Sequence, residues 1–180
     1  LNGIGALKNT LEVLDLSSND DLTSKGLMHL RDLVKLKNLN LHQCSGITDL
    51  SPLKGCLNLE ELDVSSCRAL TDDSFKVFSE EPNSFPNLRV LDLSYSDKLT
   101  EKVFEHLSKN NHLVYRLKEL YMDGMGKILL SSKSARDNLC QLNGLRVLRG
   151  IFCRSGCSAE ENELKTELMK QLRNIDEEIE

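Results

Sequence analysis

The chain has 180 residues, 39% hydrophobic but only 4% aromatic, with no tryptophan and a net charge of −5. The stretch from Ser158 to Glu180 holds eight acids and three bases, which accounts for the whole imbalance and leaves the rest of the chain neutral. That argues against a general nucleic-acid or anionic-membrane surface, which needs a basic excess, and no run of 18 apolar residues is present to span a membrane.

The opening LNGIGALKN reads as the back half of a repeated unit, and a start at Leu1 rather than Met predicts a piece of a longer chain. From Leu11, LEVLDLSSND sets leucines at offsets 0, 3 and 5 and an asparagine at offset 8. Those intervals fit neither a helical face nor a strand alternating throughout. TSKGLMHLRDL follows, and Leu27, Leu30 and Leu33 suit a helix that Thr23 or Ser24 caps. The interval returns in LKNLNLHQCSGI from Leu36. TDLSPLKGC after it is too short for a full helix and contains Pro52, so one or two 3₁₀ turns are expected. LEELDVSSCRAL starts at Leu59, and TDDSFKVFSEE after it is a helix whose start Asp72 and Asp73 favour. EEPNSFPNL, with Pro82 and Pro86, predicts an extended loop. LRVLDLSYSDKL starts at Leu88, with a helix in TEKVFEHLSKN from Thr100. LKELYMDGMGKI starts at Leu117, with a helix candidate in SSKSARDNLCQL from Ser131, and a degraded copy, LRVLRGIFCRSG, starts at Leu145.

The starts are 25, 23, 29, 29 and 28 residues apart. A period of that size predicts a solenoid rather than a single closed core. The copies resemble the leucine-rich repeat family, whose motif reads L-x-x-L-x-L-x-x-N/C-x-x-L. The ninth position here is Asn19, Cys44, Cys67, Ser96, Met125 and Cys153. The lengths and the I/L-T-D spelling resemble the cysteine-containing subclass found in F-box substrate receptors, and the short copies also resemble plant and protozoan repeats. The resemblance implies an α/β horseshoe with a parallel sheet of about six strands on the concave face and short helices and loops on the convex face. Each L-x-L is a short strand with leucines inward. One repeat cannot bury its leucines alone, whereas stacked neighbours gain about 1.5–3 kcal/mol per buried aliphatic side chain. The ninth residue lies where the chain bends out of the strand and its backbone needs polar partners. Asn supplies them and Cys does so weakly. Met125 cannot, so the fifth coil is expected to be irregular.

Residues 1–157 are thus read as the solenoid and residues 158–180 as a C-terminal amphipathic capping helix. Ser158 and Glu161 form a capping-box pattern, and Leu164, Leu168, Leu172, Ile175 and Ile179 share one helical face. A partner-binding or oligomerising helix is the alternative. The acidic end from Asp176 to Glu180 opposes the helix dipole and predicts a frayed last turn. Cys44, Cys56, Cys67, Cys140 and Cys153 fall at buried positions of the repeat and read as reduced thiols. Cys153 and Cys157 are the one close pair, open to a disulfide. No second Cys or His pair stands near them for zinc. Extracellular members of the family commonly carry disulfide flanks and N-x-S/T sequons, and this chain has no sequon. An intracellular, cytoplasmic setting fits better.

The register assigns the concave face and with it the candidate binding residues. Asp15, Asp63 and Asp92 share one column, with Glu61, Glu119 and Asp123 beside it. Asn40 and His42 belong to the second strand, Arg149 to the last, and Tyr95, Tyr121 and Phe152 gather on the last three. An Asp on a solvated strand needs no partner, since L-D-L-S is a common spelling of the repeat, and Phe152 can instead lie under the tail helix. Read as a site, the acids suit a basic peptide and the aromatics an apolar anchor. A Ser66–His42–Asp63 set can be drawn, but a flat sheet face lacks oxyanion donors and an enclosed pocket. GMGK at Gly124–Lys127 lacks the spacing of a phosphate loop. The sequence therefore predicts a non-catalytic, monomeric module without cofactor or metal that binds a protein or peptide and no nucleic acid. The alternatives are the recognition part of an F-box ubiquitin-ligase subunit, a regulatory domain attached to an enzyme, and a structural subunit held by its convex face and tail.

Overall fold

The computed structural model describes residues 1, 3–125, 128, 131–150 and 158–172. Six strands, β1 (Val13–Asp15), β2 (Asn38–Asn40), β3 (Glu61–Asp63), β4 (Val90–Asp92), β5 (Glu119–Tyr121) and β6 (Val147–Arg149), form one parallel sheet in sequence order. Every strand pairs with the next in the same register, so Leu14, Leu39, Leu62, Leu91, Leu120 and Leu148 stack in one row. The four middle leucines of that row are buried, while Leu14 and Leu148 at the ends are partly buried. This is the open-ended geometry the repeat predicts: an end repeat has a neighbour on one side only.

The ladder runs past the three-residue strands. Leu16, Leu41, Val64, Leu93 and Met122 each donate their amide to the following repeat, and so do Ser18, Gln43, Ser66 and Tyr95. The chain then leaves the sheet through one left-handed residue per repeat: Ser18 (φ 55°), Gln43 (57°), Ser66 (57°), Tyr95 (57°) and Gly124 (82°). A side chain pays a steric penalty in that region. The lateral hydrogen bond made by the same residue's amide in the first four repeats offsets it. The sixth repeat departs earlier. Gly150 (φ 80°) stands where the other repeats place an inward apolar residue, and a Cβ there would lie 2.1 Å from the Asp123 amide nitrogen.

In the second and third repeats the ninth position bonds as the motif requires. Cys44 Sγ donates to the Leu16 carbonyl and Cys67 Sγ to the Leu41 carbonyl, each at 3.1 Å, so a thiol in one repeat ties down the preceding one. Cys56 does the same for Leu30 at 3.3 Å. These three thiols and Cys140 are free, and burial pushes Cys56 and Cys67 up to about 12. Ser96 fills the same slot, but its buried hydroxyl finds no partner among the described residues. Met125 does not disturb the turn at its own position. It is buried, and its amide meets the Met122 carbonyl at 2.9 Å, much as Cys44 meets Leu41 at 3.1 Å. Residues 126, 127, 129 and 130 of that coil, and the Cys153–Cys157 pair, lie outside the described residues.

On the convex side the expected elements form, with two corrections. Helix α1 (Ser24–Leu27) continues as a 3₁₀ turn, Met28–Leu30, and buries Leu27, Leu30 and Leu33. Neither Thr23 nor Ser24 caps it. Ser24 Oγ instead accepts the Thr48 and Asp49 amides of the next repeat, both at 2.9 Å. Asp72 likewise accepts the Thr100 amide and hydroxyl, so groups that look like helix caps serve lateral bonding between coils. Ser51–Gly55 is the expected 3₁₀ turn. Asp72–Phe75 starts as 3₁₀ and becomes α2 (Lys76–Glu80). The loop after it is compact rather than extended. Phe85 turns into the core with φ 52° and stacks on Phe78, ring centroids 4.6 Å apart. Burial of an aromatic ring outweighs the extended bias of residues that precede proline.

Asn110, which the repeat pattern does not single out, holds that loop. It is fully buried, its amide nitrogen donates to Phe78 O, Ser84 O and Ser84 Oγ, and its oxygen accepts the His112 and Leu113 amides. It sits between α3 (Lys102–Ser108) and a further short helix, α4 (Leu113–Arg116). Helix α5 (Lys133–Leu139) is capped by Ser132, whose hydroxyl accepts the Ala135 amide at 3.2 Å. The tail helix α6 (Ala159–Gln171) buries Leu168, and Leu172 just beyond it is also buried in the same continuous core. Cys140 Sγ reaches Gln171 Oε1 at 3.6 Å. Ile175, Ile179 and the turn expected to fray lie outside the described residues.

Candidate functional site

The fifth motif position supplies the centre of the concave face: Asp15, Asn40, Asp63, Asp92, Tyr121 and Arg149 stand side by side in the paired register. The first four have a local task. Each turns Oδ1 onto the amide two residues ahead, at Ser17, His42, Ser65 and Ser94, at 2.8–2.9 Å. The amide at the end of a short strand lacks a sheet partner, and an Asx turn supplies one. That explains the spelling L-D-L-S and why Asn40 substitutes without loss of geometry.

The electrostatic surroundings separate the three aspartates. The Ser17 amide holds the Asp15 carboxyl below the usual carboxylate range. Asp92 moves the other way. Burial raises it, against the hydrogen bonds from Ser94, and the charges of Asp63 and Asp123 add to the rise. Asp15, Asp63 and Asp92 form no ion pair among the described residues. Glu61 accepts from Asn38 Nδ2. The Tyr121 hydroxyl donates to Glu119 Oε2 at 2.5 Å, which with burial pushes the phenol up to about 12, and the Arg149 guanidinium lies 5.8 Å from the centre of the Tyr121 ring. Asp15, Asn40, Asp63, Asp92 and Tyr121 line a trough of about 390 Å³ across the sheet.

Tyr95 does not join that trough. It occupies the left-handed turn, is 58% exposed, and lies beside Gly124. It lines a second groove of about 400 Å³ on the rim, with Asp20, Arg68 and Asp97. The expected Tyr95–Tyr121 anchor is therefore divided between two surfaces. The reason is conformational: the eighth motif position is a turn, whereas Tyr121 is on the strand. Setting the repeats one under another marks the eighth and tenth positions as a rim, a signal the strand-centred reading passed over. Asp123 is partly buried, with its amide on Ser94 Oγ at 3.0 Å. Phe152 lies outside the described residues.

His42 is tied into the sheet. Its Nδ1 is 2.7 Å from Ser65 Oγ, and that hydroxyl donates to Asp63 Oδ1 at 2.5 Å, so the imidazole nitrogen is the donor to serine. The order is carboxylate, serine, imidazole, with the serine nearly buried. A nucleophilic relay requires the imidazole between the other two. Ser66, the hydroxyl expected in such a set, belongs to the rim groove instead. Among the described residues no group of His, Cys, Asp and Glu has metal-binding geometry, and no helix is long and apolar enough to cross a membrane.

A family profile described as Leucine Rich repeat matches residues 8–30 and 55–78. The chain is similar to disease resistance protein RML1A of Arabidopsis thaliana, 38% identical over 51% of the chain and 8% of that protein. In Saccharomyces cerevisiae it is similar to antagonist of mitotic exit network protein 1, 35% identical over 50% of the chain and 16% of that protein. It is also similar there to DNA repair protein RAD7, 29% identical over 62% of the chain and 21% of that protein. The chain thus spans less than a quarter of the length of each of these relatives. Among solved structures, an internalin from Listeria monocytogenes superposes over 95% of the chain and 41% of its own, with a TM-score of 0.55 at 18% identity. The yeast Rad7 and Elc1 complex matches over 63% of the chain and 28% of its own, with a TM-score of 0.53 at 25% identity. The profile, these relatives, the sheet in sequence order and the thiols of the ninth position agree on a solenoid built of leucine-rich repeats.

Proposed function

We propose that the concave face, rather than a catalytic pocket, is where this interaction module works, and that it takes a protein or peptide presenting a basic patch. The observation that carries this reading is the row of Asp15, Asp63 and Asp92, which gather negative charge and form no ion pair among the described residues. At Asp92 the neighbouring charges of Asp63 and Asp123 work against the fold, and a partner's lysine or arginine would relieve that. In this reading residues 1–157 are the recognition solenoid, α6 covers its last coil, and the setting is reducing and intracellular, which the free thiols suit.

A substitution that separates charge from structure tests it. Asn40 makes the same Oδ1 bond as the aspartates, so Asp63→Asn/Asp92→Asn keeps the turn and removes two charges. Capture from lysate, read by mass spectrometry, is expected to lose specific partners with this variant while its melting temperature does not fall. Partners retained by the folded double variant but lost with a folded Leu168→Glu/Leu172→Glu tail variant would overturn the reading and favour a subunit held by its tail. The likeness to Rad7, solved as a complex with Elc1, supports a second reading, a recognition subunit that also carries a partner protein. Copurification of the protein with a constant partner, besides exchangeable ones, would distinguish it.

A further inference from the structure

Charge on the concave face is not uniform. Asp63 and Asp92 occupy two adjacent strands, Tyr121 the next and Arg149 the last, all at the same register position. Arg149 is exposed and lies over the Tyr121 ring, and it has no carboxylate partner among the described residues. The Tyr121 hydroxyl is held by Glu119, which fixes its ring as a wall between the acids and the base. The face therefore reads acid, acid, aromatic, base from β3 to β6.

The spacing sets what can match that order. Strands lie about 4.8 Å apart, so Arg149 stands about 10 Å from Asp92 and about 14 Å from Asp63 along the sheet, with Tyr121 about 5 Å from Arg149. An extended chain rises about 3.3 Å per residue and points every second side chain to the same face. Side chains at i, i+2 and i+4 then cover about 13 Å on one face, and the central one falls between β4 and β5, within reach of the Tyr121 ring. Positions i and i+3 point to opposite faces and cannot meet both charges.

We infer that the concave face recognises an extended peptide with a basic and an acidic side chain at i and i+4 and an apolar one midway at i+2, crossing the strands from β3 to β6. This rests on the concave-face reading above. It adds that Arg149 selects among basic partners, because a uniformly basic segment would bring a like charge against it.

The test uses the 180-residue chain and fluorescently labelled peptides, Lys-Ser-Leu-Ser-Glu and its reverse, against isomers of the same composition with the charges at i and i+3. Anisotropy is expected to show at least one i, i+4 order binding about tenfold or more tighter than the isomers. Arg149→Glu, checked for an unchanged melting curve, is expected to abolish that preference, and Lys-Ser-Leu-Ser-Lys to recover binding to the variant. Equal affinity for all isomers, no binding by any of them, or indifference to Arg149→Glu overturns the inference. The capture experiment with Asp63→Asn/Asp92→Asn reads the concave face independently, so the two can fail separately.

Discussion

A single aspartate in this repeat carries two roles that pull in different directions. Asp92 terminates a strand by accepting the Ser94 amide at 2.8 Å, yet burial and the neighbouring charges of Asp63 and Asp123 raise its affinity for a proton. A carboxyl whose folded pKa lies above its unfolded one holds its proton more tightly when folded. Its charged form then costs stability at neutral pH, and that cost is relieved as pH falls through the folded pKa. Asp92→Asn keeps an acceptor, as Asn40 does, and removes the charge. It is expected to raise the denaturant midpoint at pH 7, with the gap to the parent closing as the pH is lowered into the carboxylate range. Asp15 has the opposite sign: its contribution is present above the ordinary pKa and is lost as pH falls. The Asx role itself was not read from the spelling L-D-L-S. An aspartate looks the same in a sequence whether it meets solvent or the amide two residues on.

At the scale of the element, apolar spacing gave the right helices, while the cap expected at Thr23 or Ser24 did not form. Leu27, Leu30 and Leu33, or Val103, Phe104 and Leu107, must share a face, and they do. The hydroxyls and carboxylates at the helix starts were open to competition, and in a solenoid a neighbouring coil is as near as the helix's own first turn. Ser24 and Asp72 accordingly bond sideways. The loop from Glu81 to Leu88 shows the same competition, since Asn110 meets it from a coil away. Asn110→Ala would strand two carbonyls and two amides in the core. At about 1–3 kcal/mol for each buried group left unsatisfied, a loss of about 3 kcal/mol or more is expected in urea unfolding. Hydrogen exchange should place the loss first in the loop and α4.

Across the whole molecule the core is one continuous strip, from the partly buried Leu11, Leu14 and Leu16 to Leu168 and Leu172. Repeat arrays distribute stability through nearest-neighbour interfaces, so damage at one end is felt there first. Leu168→Ala is expected to cost about 2–5 kcal/mol, with faster amide exchange in β6 and α5 and little change in β2 and β3. Uniform acceleration along the chain would mean that the tail helix supports the array as a whole and does not act as a local cover. What the sequence by itself determined was the period, the parallel sheet, the inward leucines, the thiol ladder and the membership of the concave column. These depend on intervals along the chain, and intervals survive in a linear text. Only the tertiary structure decided which polar groups serve the fold and which face outward: that Asp15, Asn40, Asp63 and Asp92 close strands, that Tyr95 belongs to a rim and not to the trough, that Ser65 stands between His42 and Asp63, and that Asn110 bridges two coils. Apolar burial is set by periodicity, whereas a hydrogen bond is settled by whichever partner comes within about 3 Å, and in a solenoid that partner is often a full repeat away.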